Sequence, residues 1–102
     1  MKKQEDIESI YKKIEFIKTE IQKIGHMRPG SINEQFKDPK EKTGSYYQLN
    51  YTHKMKTYTD YVRKAQVSNM KKETSEYKKL KEMIEEWIEL SISASKLRIK
   101  IG

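Results

Sequence analysis

A chain of 102 residues holds one domain at most. An apolar share of 34% against a charged share of 36% leaves only a thin core, although ordered apolar periods argue against disorder. The formal charge of +7 favours polyanionic partners: nucleic acid, acidic proteins or anionic surfaces. The absence of cysteine excludes a disulfide framework and thiolate metal sites.

Residues 4–24 carry the clearest period. Ile7, Ile10, Ile14, Ile17, Ile21 and Ile24 alternate steps of three and four, the seam of a coiled coil. Glu5, Asp6 and Glu8 suit the positive end of such a helix and Lys23 the negative end. Gly25 is the predicted stop. Phe16 falls off the seam, either to support a neighbouring element or to leave a small exposed patch. A single amphipathic helix cannot hold itself together by burying one stripe, so this one needs a partner. The run MKKQEDIESI turns acidic where a secretion signal needs an apolar stretch, and no apolar run reaches the roughly 20 residues of a membrane span. A cytoplasmic chain with no membrane role is the expectation.

Residues 26–43 are punctuation. Arg28-Pro29-Gly30-Ser31 marks a turn. Ser31 and Glu34 fit a capping box, yet Ile32, Glu34 and Phe36 alternate like an edge strand, and the sequence does not separate the two. KDPKEK, from Lys37 to Lys42, reads as a solvated loop.

Residues 45–62 are dense in tyrosine and threonine, as strands are. Tyr47, Leu49 and Tyr51 share one face of a first strand, and Tyr58, Asp60 and Val62 one face of a second. His53-Lys54-Met55-Lys56 lacks the Asn-Gly of a tight primed turn, so a longer, mobile connection is expected there.

Residues 66–99 return to a helical period, and Tyr77, Leu80, Ile84 and Trp87 line one side of it. From Leu90 to Ile101 the chain fits both an alternating strand and a continuation of the helical stripe. The helix is preferred because neither Gly nor Pro interrupts it. The fold expected is therefore α+β and mostly helical. Its N-terminal and long C-terminal helices pack as an antiparallel coiled-coil-like pair, with a β-hairpin between them and room for a third short strand. The seam of that pair joins the six isoleucines to Tyr77, Leu80, Ile84 and Trp87. The longer helix overhangs, and an apolar overhang is a natural contact for a second copy or a partner helix.

Several stretches together resemble a known pattern: Pro29-Gly30-Ser31 with Glu34-Gln35, Tyr46-Tyr47-Gln48-Leu49 with Tyr51-Thr52-His53-Lys54, Tyr61-Val62-Arg63-Lys64, and Glu86-Trp87-Ile88. Over roughly residues 26–99 the chain is similar to a small prokaryotic family of unknown function, frequent in archaea and sometimes encoded near transposase genes. The resemblance implies the layout and an association with mobile elements. It supplies no catalytic residue. Family members carry a cysteine cluster between the EQ and YY motifs, which is missing here, and a glycine at the hairpin tip, where this chain has Met55.

The best functional candidates are cations on the hairpin tip and the start of the long helix: Lys54, Lys56, Arg63, Lys64, Lys71 and Lys72. Between residues 54 and 72 only Asp60 opposes them. Lysine and arginine make phosphate contacts, and neighbouring tyrosines stack on bases. The plainer reading is a solvated lysine face over a tyrosine-built core. His26 and His53 have no ligand pattern around them, and no phosphate-binding loop or nucleophile motif is present. A non-enzymatic module without metal or cofactor is expected. Either it touches nucleic acid, or it is a coiled-coil adaptor whose lysines serve solubility.

Overall fold

The structure, a computed structural model, describes residues 6–101, and of Ile101 only its place in a helix. In chain order it holds helix α1 (Ile7–Ile21), strands β1 (Ser31–Asp38), β2 (Thr43–His53) and β3 (Lys56–Val62), a short 3-10 turn (Lys64–Gln66) and helix α2 (Val67–Ile101). The fold is the mostly helical α+β arrangement expected. Its contacts group residues up to Ile24 with those from Lys79 onward, and gather Gly25–Lys78 into a second compact unit.

The first unit is the helix pair. α1 opens with Asp6 as its N-cap, the carboxylate accepting a hydrogen bond of 2.8 Å from the Ser9 amide. Asp6 therefore caps the helix from outside instead of sitting in its first turn. The helix closes at Ile21, earlier than the predicted 24, because the Lys23 and Ile24 amides tighten onto the Glu20 and Ile21 carbonyls. Gly25 keeps an ordinary backbone conformation and is not the left-handed stop its position suggested. Ile10 and Ile17 are buried, Ile7, Ile14, Ile21 and Ile24 half-buried, and Phe16 lies exposed on the outside.

Two contacts fix the direction of pairing. Lys18 Nζ stands 5.7 Å over the Trp87 ring, and Arg98 Nη1 donates to the Tyr11 hydroxyl at 3.0 Å. Later residues of α1 meet earlier residues of α2, so the pair is antiparallel. The α2 seam differs from the expected one at two rungs, Tyr77, which groups with the second unit, and Ile84. Leu80, Met83, Trp87, Leu90 and Leu97 are half-buried and Ala94 is buried, whereas Ile84 is 41% exposed. Steps of three-then-four and four-then-three both link Leu80 to Trp87. The register that continues through Leu90, Ala94 and Leu97 selects Met83, and Ile84 is left on the flank, one residue or about 100° away. The helical alternative for residues 90–101 holds throughout.

The second unit is an antiparallel meander of order β1-β2-β3. Residues 31–38 form a strand, so Ser31 opens a strand and not a capping box. Ile32 pairs with Leu49 and Phe36 with Ser45. The predicted KDPKEK loop shrinks to a tight connection, because the Asp38 carboxylate accepts the Lys40 and Glu41 amides at 3.2 Å each. Leu49, fully buried, pairs with Asp60, and Tyr47 pairs with Val62, also buried. These residues belong to the apolar face. On that face Tyr51 stacks on Tyr58 with ring centroids 5.1 Å apart. Arg28 lies over Tyr51 at 4.8 Å, bonds Asp60 at 2.8 Å and donates its backbone amide to the Glu73 carbonyl of α2. It thereby ties the apolar face to the first turns of α2. Tyr77, half-buried, belongs to this unit and not to the helix pair.

The hairpin tip overturns an expectation. His53 pairs directly with Lys56, leaving a two-residue turn in which Lys54 and Met55 both adopt positive φ, 51° and 67°. That is the primed geometry matching strand twist, built without the residues that favour it. Left-handed backbone costs a side-chain-bearing residue about 1–2 kcal/mol. Met55 is 97% exposed and gains nothing in return. Met55→Gly is therefore expected to raise stability by about 0.5–1 kcal/mol after the extra unfolded-state entropy of glycine. The check is a higher urea midpoint at unchanged slope. A lower midpoint would show that the turn does not sit on Met55.

Candidate nucleic-acid interface

Alternation sends Tyr46, Gln48, Asn50 and Thr52 of β2, with Thr57, Thr59 and Tyr61 of β3, to the face opposite Leu49. β1 adds Asn33, Gln35 and Lys37 to it. This face is open and polar. Asn50 Oδ1 accepts from the Thr59 hydroxyl at 2.8 Å, and the Thr52 and Thr57 hydroxyls lie 3.4 Å apart. Its aromatic members form a tilted pair: the Tyr46 and Tyr61 rings are 6.5 Å apart at 31°, and Tyr61 is 70% exposed. Beside them lies a shallow hollow of about 480 Å³ lined by Lys37, Gly44, Ser45, Tyr46 and Tyr61. Gly44, at φ 67°, lets β1 and β2 approach there, since a Cβ would meet the Lys37 side chain at 3.1 Å.

All six cations singled out from sequence lie in this unit and are exposed. They do not form one patch. Lys54 and Lys56 occupy the hairpin tip, whereas Arg63 and Lys64 follow the far end of β3, about 20 Å away along the strand. Lys71 and Lys72 stand on the first turns of α2. What the sequence reading missed is a second source of charge near Arg63. The β1–β2 connection returns to the same end of the sheet, bringing Lys37, Lys40 and Lys42 there. Among the described residues none of these cations is held in an ion pair. The tyrosine pair was also missed, although the strict polar alternation of residues 46–52 and 57–61 marks a solvent-facing strand surface.

Among the described residues no three His, Cys, Asp or Glu side chains gather as a ligand set, and no helix is long and apolar enough to cross a membrane. Comparison with protein-family models, curated proteins and solved structures finds no match to the chain.

Proposed function

We propose that the chain is a non-catalytic nucleic-acid-binding module that works through the polar face of its sheet. The observation that carries this reading is the pairing of exposed Tyr61 with half-buried Tyr46 beside unpaired cations at the Lys37–Arg63 end of the sheet. Aromatic rings on an open sheet accept unstacked bases, while Asn, Gln and Thr around them offer hydrogen bonds to base edges. Lys37, Arg63 and Lys64 at one end and Lys54 and Lys56 at the other are spaced to follow a strand's phosphates across the face. Single strands are the substrate class this favours over duplex. The resemblance to a family found near transposase genes supports an accessory role with a mobile element.

Mobility-shift titrations against single-stranded DNA, single-stranded RNA and duplex, repeated across salt, test the reading. Affinity should fall steeply with salt, with a slope near 0.7 per phosphate contacted on single strands. Tyr61→Ala should weaken binding by about 1–3 kcal/mol, and Arg63→Glu should flatten the salt dependence. No shift at low salt would remove the proposal. A second reading, a coiled-coil adaptor without a nucleic-acid role, draws on the apolar flank of α2 and expects that silent result.

A further inference from the structure

The α1–α2 seam does not use all the apolar surface of α2. Ile84, Ile88, Ile92 and Ile99 remain 41%, 53%, 51% and 75% exposed. Ile84, Ile88, Ser91 and Ser95 follow one another at steps of four, three and four, a second heptad-like line beside the first, with Ile92 and Ile99 along its edge. A hollow of about 330 Å³ runs along it, lined by Ile84, Trp87, Ile88, Ser91, Ile92 and Ser95. Together the four isoleucines leave on the order of 400 Å² of apolar surface, the size at which an exposed patch on a monomer is commonly functional.

We propose that this line is the contact between two copies of the chain, their α2 helices packed antiparallel about a twofold axis between Ser91 and Ile92. The inference is independent of the nucleic-acid reading of the sheet. Its basis is complementarity of the helix with its own reverse. About that axis Ile84 meets Ile99, Ile88 meets Ser95 and Ile92 meets Ser91, so two of the three pairings set a large side chain against a small one. Charge follows the same rule. From Lys81 to Glu89 the helix carries Glu82, Glu85, Glu86 and Glu89, whereas from Leu90 to Ile101 it carries Lys96, Arg98 and Lys100 and no acid. Glu85, Glu89 and Lys96 border the line on one side, and antiparallel packing brings equal sides together. Lys96 of each copy then lies between Glu85 and Glu89 of the other, twice per dimer. Parallel packing would oppose like with like along the whole contact. The isoleucines of both copies bury at most about 800 Å² and the charged stems add to it, which leaves the contact below the roughly 1,200 Å² of standard specific interfaces and makes it weak and concentration-dependent.

Sedimentation equilibrium of the full chain, without nucleic acid and across micromolar to millimolar concentration, should show monomer and dimer. Glu85→Lys with Glu89→Lys, and separately Lys96→Glu, should each weaken the dimer about tenfold or more, and mixing the two variants should restore it. The native chain has no cysteine, so Ser91→Cys should oxidise to a covalent dimer. Ile84→Cys should not, because its symmetry mate lies about 22 Å away along the helix. Circular dichroism confirms that each variant is folded, and all the charge changes sit at exposed positions. A monomer at every concentration, cross-linking through Ile84→Cys in place of Ser91→Cys, or a dimer indifferent to both charge reversals would overturn the proposal.

Discussion

Leu49→Ala is expected to lower the unfolding free energy by roughly 2–5 kcal/mol. Leu49 is 0% exposed at the centre of the middle strand, between Ile32 of β1 and Asp60 of β3. The described buried core amounts to Ile10, Ile17, Leu49, Val62 and Ala94. Domains have only about 5–15 kcal/mol of stability in total, and a core this thin belongs toward the lower end, so the variant stands near the limit of folding. Urea unfolding followed by far-UV circular dichroism measures the loss. Ile84→Ala supplies the contrast: at 41% exposure on the flank of α2 its loss should stay within about 0.5–1 kcal/mol. A Leu49→Ala loss no larger than that would mean the apolar face of the sheet is not where the second unit keeps its core. A large loss at Ile84 in a dilute monomer would restore the seam first expected from the sequence.

That contrast shows where the sequence was readable and where it stopped. The isoleucine run through α1 and the turn after it announced both its period and its need for a partner, because six identical apolar residues at alternating steps leave one face to bury. α2 was legible as a helix and ambiguous in rotation. Met83 and Ile84 are adjacent and both apolar, so periodicity within Tyr77–Trp87 permits either, and only the register continuing to Leu97 decides. β1 was half-legible for a related reason: Ser31 and Glu34 satisfy a helix cap and an alternating strand equally, and pairing with β2, a contact distant in sequence, settles it. The hairpin tip defeated residue preference outright. Seven pairings between β2 and β3, from Tyr47–Val62 to His53–Lys56, hold Lys54 and Met55 in a conformation neither would choose alone. The candidate interface was readable only in its charge. Proximity in sequence grouped Lys54 and Lys56 with Arg63 and Lys64, whereas the meander separates those pairs and brings Lys37, Lys40 and Lys42 to the second. A strand's two ends are close in number and far apart in space, and that geometry is invisible until the topology is known.

Gly30→Ala is the other substitution with a large expected effect, about 3 kcal/mol or more of lost stability. Gly30 holds φ at 133°, a region that residues with a side chain scarcely enter, and strain of that kind costs about 1–3 kcal/mol. The space is closed as well. A Cβ there would stand 2.9 Å from the Asn50 carbonyl oxygen, 2.9 Å from Leu49 Cδ1 and 3.2 Å from Tyr51 Cβ. Leu49 Cδ1 can swing aside only by disturbing the core, and the Asn50 carbonyl belongs to the strand that Ser31 pairs with, so relief on either side starts to peel β1 from β2. Overpacking of this sort adds roughly 1–3 kcal/mol. Gly25→Ala is the internal control. Its φ is unremarkable and its nearest neighbour, Glu76 Oε1, stands 3.9 Å away, so the change should be neutral or stabilising by up to about 1 kcal/mol. Denaturant midpoints give the two energies, and amide exchange along Ser31–Asp38 reports whether β1 is the element that loosens. Equal effects at Gly25 and Gly30, or unchanged protection along β1, would show that the chain enters its sheet by some route other than the glycine held against Leu49 and Asn50.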